Sequence, residues 1–387
     1  MDEFLIVTHN GRFVVQFELN DIQILQNIGF EVHCATNFEG ENMRADARAT
    51  LENMGVICHQ IPIERSPFKF KQNFRAYCEL KDIMKQHHFS GVHCHTPMGG
   101  VVGRLAAEAC RVCPSIYTAH GFHFYKGCPL KNRLIYQTVE TFLARYTDAQ
   151  ITINHEDYEA AAKFPLRGKA YFVPGIGIDI KAVANEPCDR GKTRESLKIP
   201  ANAFVFISVG ELNENKNHAT AIKAFAKADI PNSYYIICGE GRLKESHTEL
   251  IEKLGLSNRI RLLGFRKDIR CVLHACDCFV FPSFREGLSV SLMEAMAAGL
   301  PCIASRIRGN VDLLKNSRYL FEPADENALC QLLKDAANGV QIEQECELNR
   351  ETLKKYDIKN VSKEMQGIYS AVIEGTTTNE SFTPIKK

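Results

Sequence analysis

The chain lacks any run of 18 apolar residues, so no transmembrane helix is expected. It also lacks an excess of charge of either sign: 47 Lys and Arg against 46 Asp and Glu leave a formal net charge of +1. That balance argues against a dedicated nucleic-acid binder. A dinucleotide fingerprint is missing: Gly239-Glu240-Gly241 has no third glycine, and the Thr8–Arg12 loop has one glycine only. No Walker A motif and no GxSxG elbow occur, which removes P-loop and serine-hydrolase chemistry. No DxD pair occurs, and Cys110-x-x-Cys113 has no second well-spaced pair, so no metal is expected. Neither a repeat nor a low-complexity segment is present. The opening MDEFLIV starts acidic and enters a strand, unlike a secretory signal.

What is present is ordinary for a soluble α/β protein of two domains: 387 residues, 45% of them hydrophobic. The 15 cysteines are scattered through expected strands and helices, as with Cys34, Cys58, Cys94, Cys238 and Cys302. They read as reduced, buried thiols of a cytosolic protein.

Apolar runs and helical periods alternate along the chain. Strands are expected at Glu3–Val7, Glu31–Ala35, Val56–Ile61, Gly91–His95, Ser115–Ala119 and Ala149–Ile153. Helices fall between them: Val15–Ile28, Asn42–Met54, one ending at Leu80–His87, Gly99–Cys110 and Leu130–Tyr146. Pro174, Gly175 and Gly177 interrupt the pattern, and a second alternating set starts at Phe204–Val209. The expected division is 1–180, 181–360, and a C-terminal helix and tail over 361–387 that returns toward the first domain; the last dozen residues read as frayed. Such alternation means parallel sheets covered by helices, with ligands at the carboxyl ends of the strands.

The most informative stretch is Phe279–Ser305. It reads as strand, loop, helix, strand, with Ser289 as a candidate helix cap. Glu286 and Glu294 lie eight apart, about 12 Å along a straight helix. Because Glu286 precedes the helix, it can fold back over the N-terminus. There, the free N–H groups of Gly287, Leu288 and Ser289 and the helix dipole suit a diphosphate. Carboxylates on either side match a ligand laid out as ribose, diphosphate and sugar.

Four signals in order carry a resemblance. They are Gly210-Glu211-Leu212-Asn213-Glu214-Asn215-Lys216-Asn217-His218, Gly239-Glu240-Gly241, Leu263-Gly264-Phe265, and Glu286-x7-Glu294 followed by Ala297-Ala298-Gly299-Leu300-Pro301. Together they resemble the family 4 retaining glycosyltransferases, whose GT-B architecture sets two Rossmann-like parallel-sheet domains facing across a cleft. The N-terminal half, with His95–Gly100, Tyr117–Gly127 and Ile151–Tyr158, is similar to bacterial transferases of capsular and exopolysaccharide assembly.

The resemblance implies roles. Glu286 would bind hydroxyls of the donor sugar and Glu294 those of the ribose. Lys216 would neutralise the diphosphate, and the backbone of Gly264, Phe265 and Arg266 would meet the base. Gly210, Glu211, Asn215, Gly241 and Arg242 would complete the donor site. His120 would stand across the cleft as the third catalytic group. His9, Gly11, Thr96, Gly99 and His123 would face the acceptor. Two departures are visible: Glu211 stands where many members carry Arg, so Arg242, Arg266 or Arg285 is left to compensate, and the family's N-terminal glycine-rich loop is reduced to Gly11.

The implied activity is transfer of a sugar, with retention, from a UDP-sugar to a saccharide on an undecaprenyl-diphosphate type lipid, with no cofactor. Arg65, Lys69, Lys71 and Arg75 interleave with Phe68, Phe70 and Phe74. This pattern suits either anionic lipid at the inner leaflet or phenylalanines packed inward. A sugar-nucleotide 2-epimerase of the same fold and a catalytically silent sugar-nucleotide-binding subunit are the rival readings.

Overall fold

A computed structural model describes residues 1–39 and 46–377. The chain forms two compact units: Met1–Gly177 with the C-terminal segment from Lys359, and Ile178–Ile358. Each is an all-parallel sheet covered by helices, the outcome expected when apolar strands alternate with amphipathic helices.

In the first unit the strands are β1 (Asp2–Val7), β2 (Phe30–Thr36), β3 (Ile57–Gln60), β4 (Phe89–His95), β5 (Ser115–Ala119), β6 (Ala149–Thr152) and β7 (Lys169–Phe172). Their order is β3-β2-β1-β4-β5-β6-β7. The order reverses between β1 and β4, which opens a crevice beyond their carboxyl ends. In the second unit β8 (Phe204–Val209), β9 (Ser233–Cys238), β10 (Ile260–Gly264), β11 (Cys278–Phe281), β12 (Cys302–Ser305) and β13 (Leu320–Phe321) run in the order β10-β9-β8-β11-β12-β13. Here the reversal lies between β8 and β11.

Both sheets bury two faces. Phe4, Ile6, Val32 and Cys34 pack on one side of the first sheet, together with Val361, Met365, Ile368 and Tyr369 of the Ile358–Thr377 helix. Leu5, Val7, Ala35 and Cys94 pack on the other. In the second, Val205, Ile207, Phe279 and Phe281 face the Val290–Ala297 helix, while Phe206, Val280 and Ile303 face the opposite layer.

Four expectations need correction or limits. The single helix over 15–28 is two, Gly11–Phe17 and Leu19–Asn27, because Glu18 leaves helical geometry at φ −116°, ψ 5° and turns its side chain inward. The helix expected from Asn42 is described from Ala47 to Asn53, and its first residues lie outside the described ones. Of the tail expected to fray, 378–387 lies outside the described residues. The reading of every cysteine as a free thiol also fails. Cys188 and Cys271 are joined, with a Cα–Cα distance of 5.3 Å, a proximity that 83 residues of separation conceal.

Candidate functional site

The second unit gathers its chemistry at the reversal point. After β8 the chain enters a short 3-10 turn, Glu214–Lys216, held by Asn213 Oδ1, which accepts from the Lys216 N–H at 3.0 Å. Asn217 ends the turn in a left-handed conformation, and its Nδ2 donates to the Pro282 carbonyl at 3.0 Å. Asn215 Nδ2 donates to the Arg285 carbonyl, and the Phe284 N–H donates to the Asn215 carbonyl, each at 2.8 Å. These bonds sew the loop after β8 to the loop after β11.

Lys216 is thereby aimed at Glu286. Its Nζ lies 2.7 Å from Glu286 Oε1 and 4.8 Å from the centre of the Phe281 ring, with only 20% and 15% of the two side chains exposed. The next residues, Gly287, Leu288 and Ser289, lead into the Val290–Ala297 helix. Among the described residues no protein acceptor meets their N–H groups. Ser289 caps that helix, accepting from the Leu292 N–H at 3.3 Å. An ammonium, a carboxylate and a run of open N–H groups at a helix start form a site for a ligand with both hydroxyl and anionic parts.

Glu294 lies within the helix, 18% exposed, with Arg270 Nε 3.9 Å away. Burial raises its carboxyl above the ordinary range, and Arg270 opposes this. The loops after β8, β9 and β10 are also tied together: the Gly239 N–H donates to the Gly264 carbonyl at 2.8 Å, and the Gly210 N–H to the Cys238 carbonyl at 2.9 Å. Gly239 adopts φ +147°, and a Cβ there would fall 1.9 Å from the Gly210 oxygen, so this close approach admits only glycine. Gly241 and Gly264 follow on the same loops. Phe265 is 63% exposed.

The cations that would compensate for Glu211 are mostly engaged. Arg242 pairs with Glu214, and Arg266 grips Asp268 at 2.6 and 2.8 Å. Arg285 contributes its carbonyl to Asn215. Glu211 itself is exposed. Arg308 is a residue the sequence reading missed: its Nε donates to the Glu286 carbonyl at 2.9 Å. Beside it, a Cβ at Gly309 would fall 2.1 Å from the Gly287 oxygen, so the 306–310 segment presses on the back of the Glu286 loop. No short motif marks either residue.

In the first unit, β4 and β5 deliver His95 and His120. Glu18, released by the helix break, joins them: Oε2 lies 3.2 Å from His95 Nδ1, and Oε1 lies 3.3 Å from His120 Nε2. The two imidazoles are 3.3 Å apart. Behind them His93 sits between the Tyr369 hydroxyl and Thr118 Oγ1, each at 2.7 Å, and Tyr369 donates to Asp21 at 3.2 Å. Burial, then the neighbouring His120, lowers the His93 pKa to about 3. Burial, with Glu18 next, pushes the Asp21 carboxyl well up. Glu18 and Asp21 were also missed, because in the sequence they sit inside what reads as one continuous amphipathic helix.

The remaining expected residues have these positions. The His9 N–H donates to Thr96 Oγ1 at 3.3 Å across the β1/β4 reversal point. Burial, then Arg65, lowers His9 to about 4. Thr96 holds φ +63°, a strained conformation for a β-branched residue. Gly11 begins the first helix, and Gly99 lies in the first turn of the Pro97–Cys110 helix. The His123 ring packs tilted against Tyr136 with ring centres 4.8 Å apart. Asp157 accepts from the Phe122 N–H at 3.1 Å and Glu156 from the Lys126 N–H at 2.6 Å, which pins the loop bearing His120. An open depression of about 720 Å³ beside this loop is lined by Tyr125, Lys126, Arg133 and Lys163 among others.

Phe68, Phe70 and Phe74 are 80%, 70% and 68% exposed, so they do not pack inward. Leu130, Leu134, Ile135 and Phe142 of the Leu130–Ala144 helix are exposed as well. No helix among the described residues is long and apolar enough to cross a membrane.

Residues 189–351 match the family described as "Glycosyl transferases group 1", and residues 4–154 match "Glycosyl transferase 4-like". A putative glycosyltransferase of Bacillus subtilis strain 168, EpsD, is 34% identical over 94% of this chain and 95% of its own length. The UDP-Gal:alpha-D-GlcNAc-diphosphoundecaprenol alpha-1,3-galactosyltransferase of Escherichia coli is 30% identical over 83% of each chain. The crystal structure of Anabaena Alr3699/HepE in complex with UDP and glucose superposes with a TM-score of 0.78 at 20% identity, covering 96% of this chain and all of that one. This last likeness concerns the fold.

Proposed function

This chain belongs to the group 1, GT4-type glycosyltransferases of GT-B fold, and on that premise we propose that it moves a sugar, with retention, from a UDP-sugar to a lipid-linked saccharide in surface polysaccharide synthesis. The observation that carries the reading is the Lys216–Glu286 pair at 2.7 Å beside the open N–H groups of Gly287, Leu288 and Ser289. As the sugar leaves, negative charge grows on the nucleoside diphosphate. A fixed ammonium and helix-start N–H groups stabilise that charge without reorganising. Glu286, held by Lys216, accepts from hydroxyls of the donor sugar. Glu294 accepts from the ribose, and the Gly264–Arg266 backbone meets the base. In the first unit His120, with Glu18 and His95 behind it, serves the reacting sugar, while His9 and Thr96 serve the acceptor.

The choice of UDP is supported by the galactosyltransferase named above and by the UDP held in the Anabaena protein. A lipid-diphosphate acceptor is supported by the same galactosyltransferase and by Lys126, Arg133 and Lys163 around the open depression. Peripheral attachment at the cytoplasmic face of the membrane is supported by the exposed Phe68, Phe70 and Phe74 set among Lys69, Lys71 and Arg75. The test is incubation of the purified chain with a panel of UDP-sugars and an undecaprenyl-diphosphate-linked sugar, with UDP release and the anomeric configuration of the product as readouts. Acceptor-dependent UDP release with an α-linked product from an α-donor is expected. Epimerised donor without acceptor, or tight UDP binding without turnover, would replace this reading by one of its rivals.

A further inference from the structure

We propose that the foot of the first sheet, at the end of the strands away from the ligand crevice, is a binding site for a divalent transition-metal ion, with His33, Glu3 and Glu31 as ligands, His87 as the residue that positions Glu3 and His59 as the residue that orients His33. The register makes the case. Glu3 of β1 stands directly beside Glu31 of β2, and His33 follows two residues on, so all three share one face of the sheet. Two like charges on adjacent paired positions repel. Among the described residues no Lys or Arg pairs with either carboxylate; their charged-group contacts are to imidazoles.

His33 is fully buried, and its Nε2 has no hydrogen-bond partner. Glu3 Oε1 and Glu31 Oε2 converge on that atom at 3.9 and 3.8 Å. Those separations are too long for hydrogen bonds. They are close to the ~3.3–3.6 Å between two donor atoms bound to one ion at about 2.0–2.2 Å. His87 caps the C-terminal end of the Phe70–Gln86 helix, and its Nδ1 is hydrogen-bonded to Glu3 Oε1 at 3.1 Å, which holds that carboxylate beside His33. A helix C-terminus favours a cation. Ring nitrogens of His33, His59 and His87 also lie within 4.8 Å of one another.

The role of His59 follows from the other side of the His33 ring. His33 Nδ1 and His59 Nε2 are 2.9 Å apart, a hydrogen bond. With Nδ1–H donating to His59, the His33 Nε2 lone pair is left pointing between the two carboxylates, as in metal sites where a neighbour fixes the tautomer of a ligating histidine. Mixed imidazole and carboxylate donors select first-row transition ions and zinc over Mg²⁺. Glu31, 44% exposed, leaves a path from solvent. The ion would clamp β1 to β2 and, through His87, a helix end, far in the chain from Lys216 and Glu286.

The experiment is titration of the full chain with Co²⁺, followed by calorimetry and visible absorption. Cobalt bound by thiolate shows a sulfur-to-metal charge-transfer band, which separates this site from the many cysteines. The expected result is one Co²⁺ per chain with no thiolate band, affinity about 10–100-fold weaker in His59→Asn, and the equivalent lost in Glu31→Gln/His87→Asn. His33→Asn is the direct variant but replaces a fully buried ring; the double variant alters only partly exposed side chains and keeps the test decisive if His33→Asn fails to fold. Identical titrations of wild type and double variant, a thiolate band, or no binding at millimolar Co²⁺ overturns the proposal.

Discussion

Replacing Lys216 by Met keeps an unbranched side chain of similar length and removes the ammonium that lies over Phe281. In the folded chain that ammonium is 2.7 Å from Glu286, with 20% of the side chain exposed. At an effective dielectric near 20, two unit charges about 4 Å apart interact by roughly 4 kcal/mol. At about 1.4 kcal/mol per decade, that is close to three powers of ten in rate if one full charge develops in the transition state. Partial charge transfer lowers the figure, so a fall in kcat of about 10²–10³ is expected. The assay is the initial rate of UDP release at saturating donor and acceptor, with the melting temperature as a control for folding. Glu286→Gln and the double variant complete a cycle, in which coupling of roughly 0.5–3 kcal/mol is expected for groups in contact. A Lys216→Met enzyme with kcat within fivefold of wild type, or a loss confined to KM, would refute the argument that this cation stabilises the leaving group.

Three further outcomes are expected. Gly239→Ala drives a Cβ to 1.9 Å from the Gly210 oxygen at φ +147°; a loss of at least about 2 kcal/mol and a fall in melting temperature of roughly 4–8 °C should follow, and an unchanged calorimetric trace would count against the close approach. Buried His93 has its pKa lowered from 6.5 to about 3. The unfolded chain therefore takes up a proton that the native chain refuses, and stability falls as pH drops from about 6.5 toward 3, by up to ~1.4 kcal/mol per pH unit for this group. His93→Gln should flatten that slope in urea titrations at pH 7, 5 and 4, and an unchanged slope would show that His93 does not drive it. Phe68→Ser/Phe70→Ser/Phe74→Ser removes three exposed rings whose full burial is worth about 1.5–3 kcal/mol each. Binding to anionic vesicles should drop at least tenfold while UDP release with a short soluble acceptor is kept; equal vesicle binding would remove this patch from the membrane reading.

The sequence alone determined the alternation of strands and helices, the two sheets and the Ser289 cap, because each depends on residues a few positions apart. Periodicity selects the buried face, and a serine side chain caps its own helix. The Glu286 and Lys216 loops could also be named, since both follow predicted strands. Only the tertiary structure decided that these loops meet: Lys216 and Glu286 are 70 residues apart in the chain, but their loops follow β8 and β11, which lie side by side in the sheet. The same reason hides Glu18, which reads as one more position of an amphipathic helix until the break turns it onto His95 and His120. It hides the Cys188–Cys271 link, the Arg308 contact and the convergence of Glu3 and Glu31 on His33. Strand order and helix packing set those distances, and neither leaves a local mark on the chain.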